Sequence, residues 1–565
     1  MKHDIGSGIT TRRPWSGALP DQAAPDAKWW ATPFHMVAHS TGPPVVASRG
    51  MVATSNPLAC AAALKMLDAG GTAADAAVAA DAVSGVVDPH LTGIGGDCAA
   101  IVYAPAERTY VGLNATGPAP ASLDRNVVLA AGQRSMPTEG PLSVTVPGAV
   151  AGWAALLRRF GRLPLHDLLQ PAIGHARRGF PLAPVTSVMW RDRVAKIRRH
   201  PRLALDILTD GKPPGPADLR RAPRLAETLS TLAATGLDSF YSGPIGQALC
   251  QVIKHEGGVL KTADLGAFSP EWVTPLSLEY GGGRVFELPP NTQGATVLFA
   301  LRLLQAHIDD HGSLPPWGSA RYVALLARII SRALTMRDAS LADPAGMTTS
   351  VQDLLADMQS TDVTEQNRFS GGTKAVNIGN HAGDTVYIAI ADDSGMMVSF
   401  ISSIFDHFGS GILDAETGII LQNRAAAFRL DPGHVQDLAP GRRPPHTIIP
   451  AAVELSGGQR LSLGITGADM QPQGQVQVLC NLVNFRMNVQ EALDAPRIRL
   501  GTGNRLALEG RRLARIRQAV ELADWKTESA RSLDMGSGQL VLHDPATGVL
   551  AGGTERRRDG CVLGR

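Results

Sequence analysis

The sequence predicts an α+β fold, and three observations carry the prediction. Ala/Val-rich segments with helical spacing follow Met51, a stretch from about Pro147 to Ser360 is mostly helical in pattern, and β-rich runs paired around short turns lie on either side of it. In "NPLACAAALKMLDAGG", Asn56 is placed to cap a helix, Pro57 to take its first position and Gly70-Gly71 to end it; a second Ala/Val helix starts from Thr72. "DPHLTGIGGDCAAIVYAPAERTYVGLNATG" reads as a glycine turn, a strand, a polar turn and another strand. Apolar repeats in "AVAGWAALLRRFG", "LHDLLQPAIGHARRG" and "ARYVALLARIISRAL" mark a large helical lobe, interrupted at "VFELPPNTQGA" by a strand and a Pro-Pro turn. "TVYIAIADDSGMMVSFISSI" is then two β runs around "DDSG". Its first run is apolar at successive positions, so it is expected to be covered on both faces.

Composition narrows the class. The chain has 565 residues, of which 44% are hydrophobic and 18% charged, values of a globular protein with ample core. A net charge of +2 offers no broad field for a polyanion, so no nucleic-acid partner is expected. The glycine turn at "GIGGD" lacks both the Lys-Ser/Thr of a phosphate loop and the spacing of a dinucleotide fold, which argues against nucleotide binding. Cys60, Cys98, Cys250, Cys480 and Cys561 are odd in number and far apart, without metal-ligand spacing. They read as reduced thiols, with Cys98 a packed small hydrophobe and neither a disulfide framework nor a metal site expected. No apolar run is long enough to span a bilayer and no secretory leader is evident, so a cytoplasmic protein with no membrane partner is expected; residues 1–45 read as a loosely held N-terminal arm.

The chemistry concentrates at Thr385. A polar, glycine-bearing linker, "STDVTEQNRFSGGTKAVNIGNHAGD", runs directly into a threonine that begins the doubly covered strand, the layout of an N-terminal nucleophile (Ntn) hydrolase precursor. Scission between Asp384 and Thr385 would give Thr385 a free α-amine with a pKa of roughly 7.7–8.0, low enough to act as base for its own hydroxyl. Before scission the same hydroxyl could attack the preceding carbonyl, so one nucleophile would both mature the chain and attack substrate.

Seven separated motifs, "NPLACAAALKMLDAGGTAADAAVAA", "DPHLTGIGGD", "VTVPGAVAGW", "LPPNTQG", "FGSGI…TGIILQNR", "APGRRPPHTIIP" and "GADMQPQGQVQVL…NVQEALDAPRI", resemble the γ-glutamyltranspeptidase family over roughly four fifths of the chain. The resemblance implies an αββα sandwich of two stacked antiparallel sheets between helical layers. It also implies autoproteolysis into a large subunit (46–384, after the arm) and a small subunit (385–565) that stay together as a heterodimer, with no cofactor. It assigns Thr385 as nucleophile, Ser403 as the hydroxyl bonded to it, and the successive amides of Gly467 and Ala468 as the oxyanion hole.

The departures bear on substrate. Where transpeptidases acting on glutathione carry an Arg for the glutamyl α-carboxylate, this sequence has Thr116 in "LNATGPAP". The Asp that would hold the ammonium is replaced by Ala427, a serine pair by His446-Thr447, and an Asn by Phe405. Without the Arg fork and the Asp, recognition of a zwitterionic glutamyl head is not expected. The "TVY", "LQNR", "RRPPHTIIP" and "GADMQPQG" signatures resemble instead the amidohydrolase branch, which includes oxamate amidohydrolase. In that branch Thr116, Arg424, His446, Thr447 and His407 become candidates to contact a small amide substrate, while His90 reads as structural. Two other readings stay open at this point, a γ-glutamyltransferase or glutathione hydrolase and an unprocessed, non-catalytic scaffold.

Overall fold

The computed structural model describes residues 42–358 and 385–565; most of the N-terminal arm, the polar linker and Asp384 lie outside the described residues. Two seven-stranded sheets dominate. One runs, edge to edge, Val45–Ala47, Val549–Thr554, Gly538–Asp544, Arg460–Ile465, Ala451–Glu454, Gly283–Glu287 and Leu276–Tyr280. The other runs Cys561–Gly564, Met51–Thr54, Val386–Ala391, Met397–Ser403, Asp97–Ala104, Thr109–Ala115 and Glu271–Val273. All neighbouring strands in both are antiparallel.

The sheets face one another across a core that includes Met51, Ile101, Tyr387, Ile401, Ala452 and Val541. Each outer face carries helices. Pro57–Asp68, Ala73–Val87, Ala149–Phe160, Leu165–Arg178 and Pro223–Thr235 cover the sheet that contains Val386–Ala391; Gly294–His311, Ala320–Ser340, Met470–Val483 and Val489–Asp494 cover the other. This is the αββα sandwich that the family resemblance implied. The helix-rich stretch divides between both outer layers: its part up to about residue 265 packs on one sheet and its part from about residue 295 on the other, because the strands Leu276–Tyr280 and Gly283–Glu287 carry the chain across.

Local signals act where the spacing placed them. The Asn56 side chain accepts from the Leu58 amide and Pro57 opens the first helix, which ends just before Gly70 at φ +85°. Thr72 and Asp75 form a reciprocal capping box at the second helix. The "DDSG" hairpin turns at Asp392, whose carboxylate takes the Ser394 and Met396 amides, and at Gly395 with φ +81°. Every residue of Val386–Ala391 is buried, as a strand between a partner sheet and a helix layer must be.

The two parts of the chain are interwoven. Met51–Thr54, from before the linker, lies between Cys561–Gly564 and Val386–Ala391, both from after it. No helix among the described residues is long and apolar enough to cross a membrane, and no group of three or more His, Cys, Asp or Glu among them is placed to hold a metal.

Candidate active site

Thr385 stands at the head of the strand Val386–Ala391, and only 2% of it is exposed. Val386 pairs with Ser402, so the register carries Thr385 to the end of the neighbouring strand, where its Oγ1 donates to Ser403 Oγ at 3.2 Å. Gln471 Nε2 donates to Thr385 Oγ1 at 3.4 Å. Ser403 Oγ in turn receives the Phe405 amide at 2.9 Å and an Arg424 guanidinium nitrogen at 3.4 Å. The Thr385 hydroxyl is thereby oriented from two sides.

Gln471 is aimed by the helix that carries it. Four glutamines at alternate positions of Met470–Val483, Gln471, Gln473, Gln475 and Gln477, are all buried. Gln473 and Gln477 bond the backbone of Leu500 and Ile498, while Gln471 Oε1 takes the Ile449 amide at 3.1 Å and Gln475 Nε2 reaches the Ile449 carbonyl at 2.7 Å. Because Gln471 Oε1 is committed to a backbone donor, Nε2 is the end left for Thr385. The helix is thus clamped between two chain segments by side-chain amides that pair like a strand edge.

Just before this helix, Gly467 and Ala468 both take positive φ, +102° and +51°. A Cβ at Gly467 would lie 3.2 Å from Gly536 Cα, so glycine suits both the space and the torsion. Ala468 adopts a left-handed conformation that costs a non-glycine residue about 1 kcal/mol. Its carbonyl takes Gln293 Nε2 at 3.3 Å, and Arg337 bonds both Gln293 Oε1 at 2.8 Å and Asp469 Oδ1 at 2.5 Å, which ties the segment to the helix Ala320–Ser340.

Arg424 is fully buried and bridges Ser403, the hydrogen-bond partner of Thr385, to its surroundings. It donates to Thr447 Oγ1 at 2.9 Å as well as to Ser403, and its guanidinium lies 4.0 Å from the centre of the Phe405 ring. Burial pulls its pKa down to about 9, against the fields of Asp97 and Asp406. Asp97, equally buried, receives the amides of Gly117 and Gly148 and the Gln422 side chain on Oδ1. Burial pushes its carboxyl up to about 7, against the opposing pull of Arg424 and these donors. His446 accepts the Ile448 amide on Nδ1, so its proton sits on Nε2 and points at Asp97 Oδ2, 3.0 Å away. Burial and then Arg424 hold the pKa of His446 well below the usual histidine range, and the ring is neutral.

A cavity of about 140 Å³ adjoins this cluster, walled by Phe405, Ala427, His446, Thr447, Ala468 and Arg337 among others. Thr385 sits behind that wall, three hydrogen bonds from Thr447 by way of Ser403 and Arg424. On its other side Thr385 borders a space of about 10 Å³ with Ser55, Asp88, Thr186, Thr466 and Ser537, room for one water.

The structure therefore gathers Thr385, Ser403, Arg424, His446, Thr447 and Ala468 around one centre. Thr116 is fully buried away from the cavity wall, its hydroxyl bonded to Asn114 at 2.7 Å and Asn291 at 3.2 Å. His407 stacks on His90, ring centres 5.5 Å apart, and burial, reinforced by Arg193 and Arg558, lowers its pKa well below the usual range. Sequence reasoning missed Gln471, Asp97 and Arg337. Asp97 ends "GIGGD" and Gln471 lies in "GADMQPQG", both inside motifs already singled out, whereas Arg337 lies in an ordinary helical repeat with no local signal.

Known proteins share the sequence pattern and the fold. The family model described as Gamma-glutamyltranspeptidase matches residues 59–564. The oxamate amidohydrolase proenzyme of Klebsiella pneumoniae subsp. pneumoniae is 36% identical, with 92% of this chain and 99% of that protein covered. The acylase ACY 1 proenzyme of Pseudomonas sp. (strain SE83) is 33% identical over 92% of this chain and 94% of its own. Among solved structures, cephalosporin acylase from Bacillus halodurans is 35% identical with a TM-score of 0.83, covering 92% of this chain and 97% of that one. With the fold, the threonine-headed strand and a family match over nearly the whole chain in agreement, this protein belongs to the gamma-glutamyltranspeptidase family of Ntn hydrolases and acyltransferases that act on amide bonds.

Proposed function

We propose that the protein is an autoprocessed N-terminal-threonine amidohydrolase that hydrolyses a small, oxamate-like amide through an acyl-enzyme. The observation that carries this reading is the Thr385 hydroxyl held between Gln471 and Ser403 at the head of a buried strand, directly after the polar linker. Cutting at Asp384–Thr385 frees the α-amine, which takes the hydroxyl proton as Oγ1 attacks the substrate carbonyl. The Gly467 and Ala468 amides receive the developing oxyanion, the amine's proton leaves with the amide nitrogen, and water attacking the ester releases the acid and restores Thr385. The cleaved parts remain associated as large and small subunits because each contributes strands to both sheets.

The choice of a small acyl group rests on the cavity. Its polar wall near the nucleophile is Thr447 and His446 backed by Arg424 and Asp97, and Ala427 stands where a glutamyl ammonium would need a carboxylate. The Klebsiella relative is named for oxamate and the Bacillus structure for cephalosporin, and both names support amide hydrolysis.

The test is mass spectrometry and N-terminal sequencing of purified protein, with amide hydrolysis assays on oxamate and γ-glutamyl-p-nitroanilide. A chain starting Thr-Val-Tyr and turnover of oxamate but not of the glutamyl anilide are expected. A single uncut chain with no turnover would favour a scaffold, and turnover of the anilide would restore the glutamyl reading.

A further inference from the structure

Met51–Thr54 pairs with Cys561–Gly564 so that Cys561 stands opposite Thr54 and Leu563 opposite Val52. Opposed residues of an antiparallel pair project on the same face, and residues two apart along a strand share it. Val52 projects into the core beneath the helix Pro57–Asp68, and Cys561 and Leu563 pack against that same core. The helix begins three residues beyond the strand. Its first turn carries Cys60, fully buried, whose Sγ donates to the Val52 carbonyl at 3.4 Å.

Two cysteines 501 positions apart in sequence, Cys60 and Cys561, therefore converge over one strand. The neighbouring Cys561 thiol is the main reason the Cys60 thiol is pushed up, with burial adding to it, and Cys60 in turn draws the Cys561 thiol down. Cys561 is also the one of the pair that reaches the surface.

We propose that Cys60 and Cys561 form an oxidisable cross-link site that takes a small peroxide as its oxidant. Cys561 attacks the peroxide oxygen, giving a sulfenic acid and one water; Cys60 sulfur then attacks the Cys561 sulfur and expels the hydroxyl as a second water. The thiols lose two electrons and two protons, and the peroxide takes up both. Because Cys60 precedes the proposed scission and Cys561 follows it, the disulfide joins the two subunits covalently. That consequence rests on the processing reading, while the cross-link itself does not.

The experiment treats the purified full-length product with hydrogen peroxide, quenches with iodoacetamide, and compares denaturing gels with and without reductant. Expected is a single band near the 59.4 kDa of the whole chain without reductant, and two fragments with it. Cys561→Ser, at the half-exposed position, and separately Cys60→Ala are each expected to give two fragments in both lanes. Peroxide-treated wild type that stays as two fragments without reductant, with both cysteines alkylated, overturns the proposal. The uncut Thr385→Ala protein separates this outcome from failure of processing. Its tryptic digest is expected to contain a Cys60 peptide joined to a Cys561 peptide, two hydrogens lighter than the free pair, and absence of that species overturns the cross-link whether or not the wild type is cleaved.

Discussion

Arg424 and Arg497 are both fully buried, yet one faces hydroxyls and an aromatic ring while the other faces a carboxylate and a row of carbonyls. Arg497 pairs with Glu555 at 2.8 Å, and Glu555 is shared with Arg557, which grips Glu509 with two nitrogens. Two arginines meet two carboxylates there, and the pKa of Glu555 falls below the carboxylate range despite burial because Arg497 and Arg557 flank it. Arg424 instead bonds the hydroxyls of Ser403 and Thr447; burial draws its pKa down, and that of Asp97, whose charge acts on it, is drawn up. A matched charge network closes on itself and holds the fold, whereas an arginine that spends its donors on Ser403 and Thr447 keeps its field beside the Thr385–Ser403 hydroxyl pair. The two regions also cooperate. Arg497 bonds the carbonyls of Met535 and Gly536, and the adjoining Ser537 exchanges hydrogen bonds with Thr466, next to Gly467.

Breaking each region is expected to have a different signature. Thr385→Ala removes the proposed nucleophile and should lower amide turnover by about 10⁴-fold or more while leaving one uncut chain on a reducing gel. Arg497→Met strands buried Glu555 with half its counter-charge and should cost about 3–5 kcal/mol, read as a lower urea midpoint, with little change in turnover per folded molecule. Arg424→Lys keeps the charge but cannot reach Ser403 and Thr447 together; a fall of about 100-fold in kcat/KM with a small shift in urea midpoint is expected. Equal losses of stability for the Arg424 and Arg497 variants would erase the distinction drawn here. Gln471→Leu should lower kcat about 10-fold by releasing Thr385 Oγ1 and the Ile449 amide.

A further expected effect is on pH dependence. Burial pushes Asp97 and Asp81 up to about 7, so each binds its proton more tightly in the folded than in the unfolded chain. Stability from these groups is fullest below about pH 4 and declines as pH rises toward 7, by up to about 1 kcal/mol per pH unit for each. Asp97→Asn should remove about half of that slope in urea titrations between about pH 4 and 7; an unchanged slope would show that Asp97 stays ionised beside Arg424 through the whole range.

Much of the local structure is legible in the residues because its causes are local. Asn56, Pro57, Thr72 and Gly395 act within a turn of themselves, and six consecutive buried residues after Thr385 announce a doubly covered strand. The hydroxyl pair Thr385–Ser403 was legible through motif resemblance, since both residues end adjacent strands of one hairpin. Thr116 and His407 stood in informative motifs too, but their side chains turn toward Asn114 and His90, a choice made by packing.

By itself, then, the sequence determined the elements, the two-layer sandwich through its family pattern, and the threonine that heads the buried strand, because capping, turn torsions and burial periodicity are properties of neighbours in the chain. Only the tertiary structure decided that Gln471 aims its amide nitrogen at that hydroxyl, that Asp97 and His446 stand behind Arg424, and that Cys60 meets Cys561. These are contacts between groups tens to hundreds of residues apart, and their hydrogen-bond directions and charge states follow from burial and from which strand lies beside which.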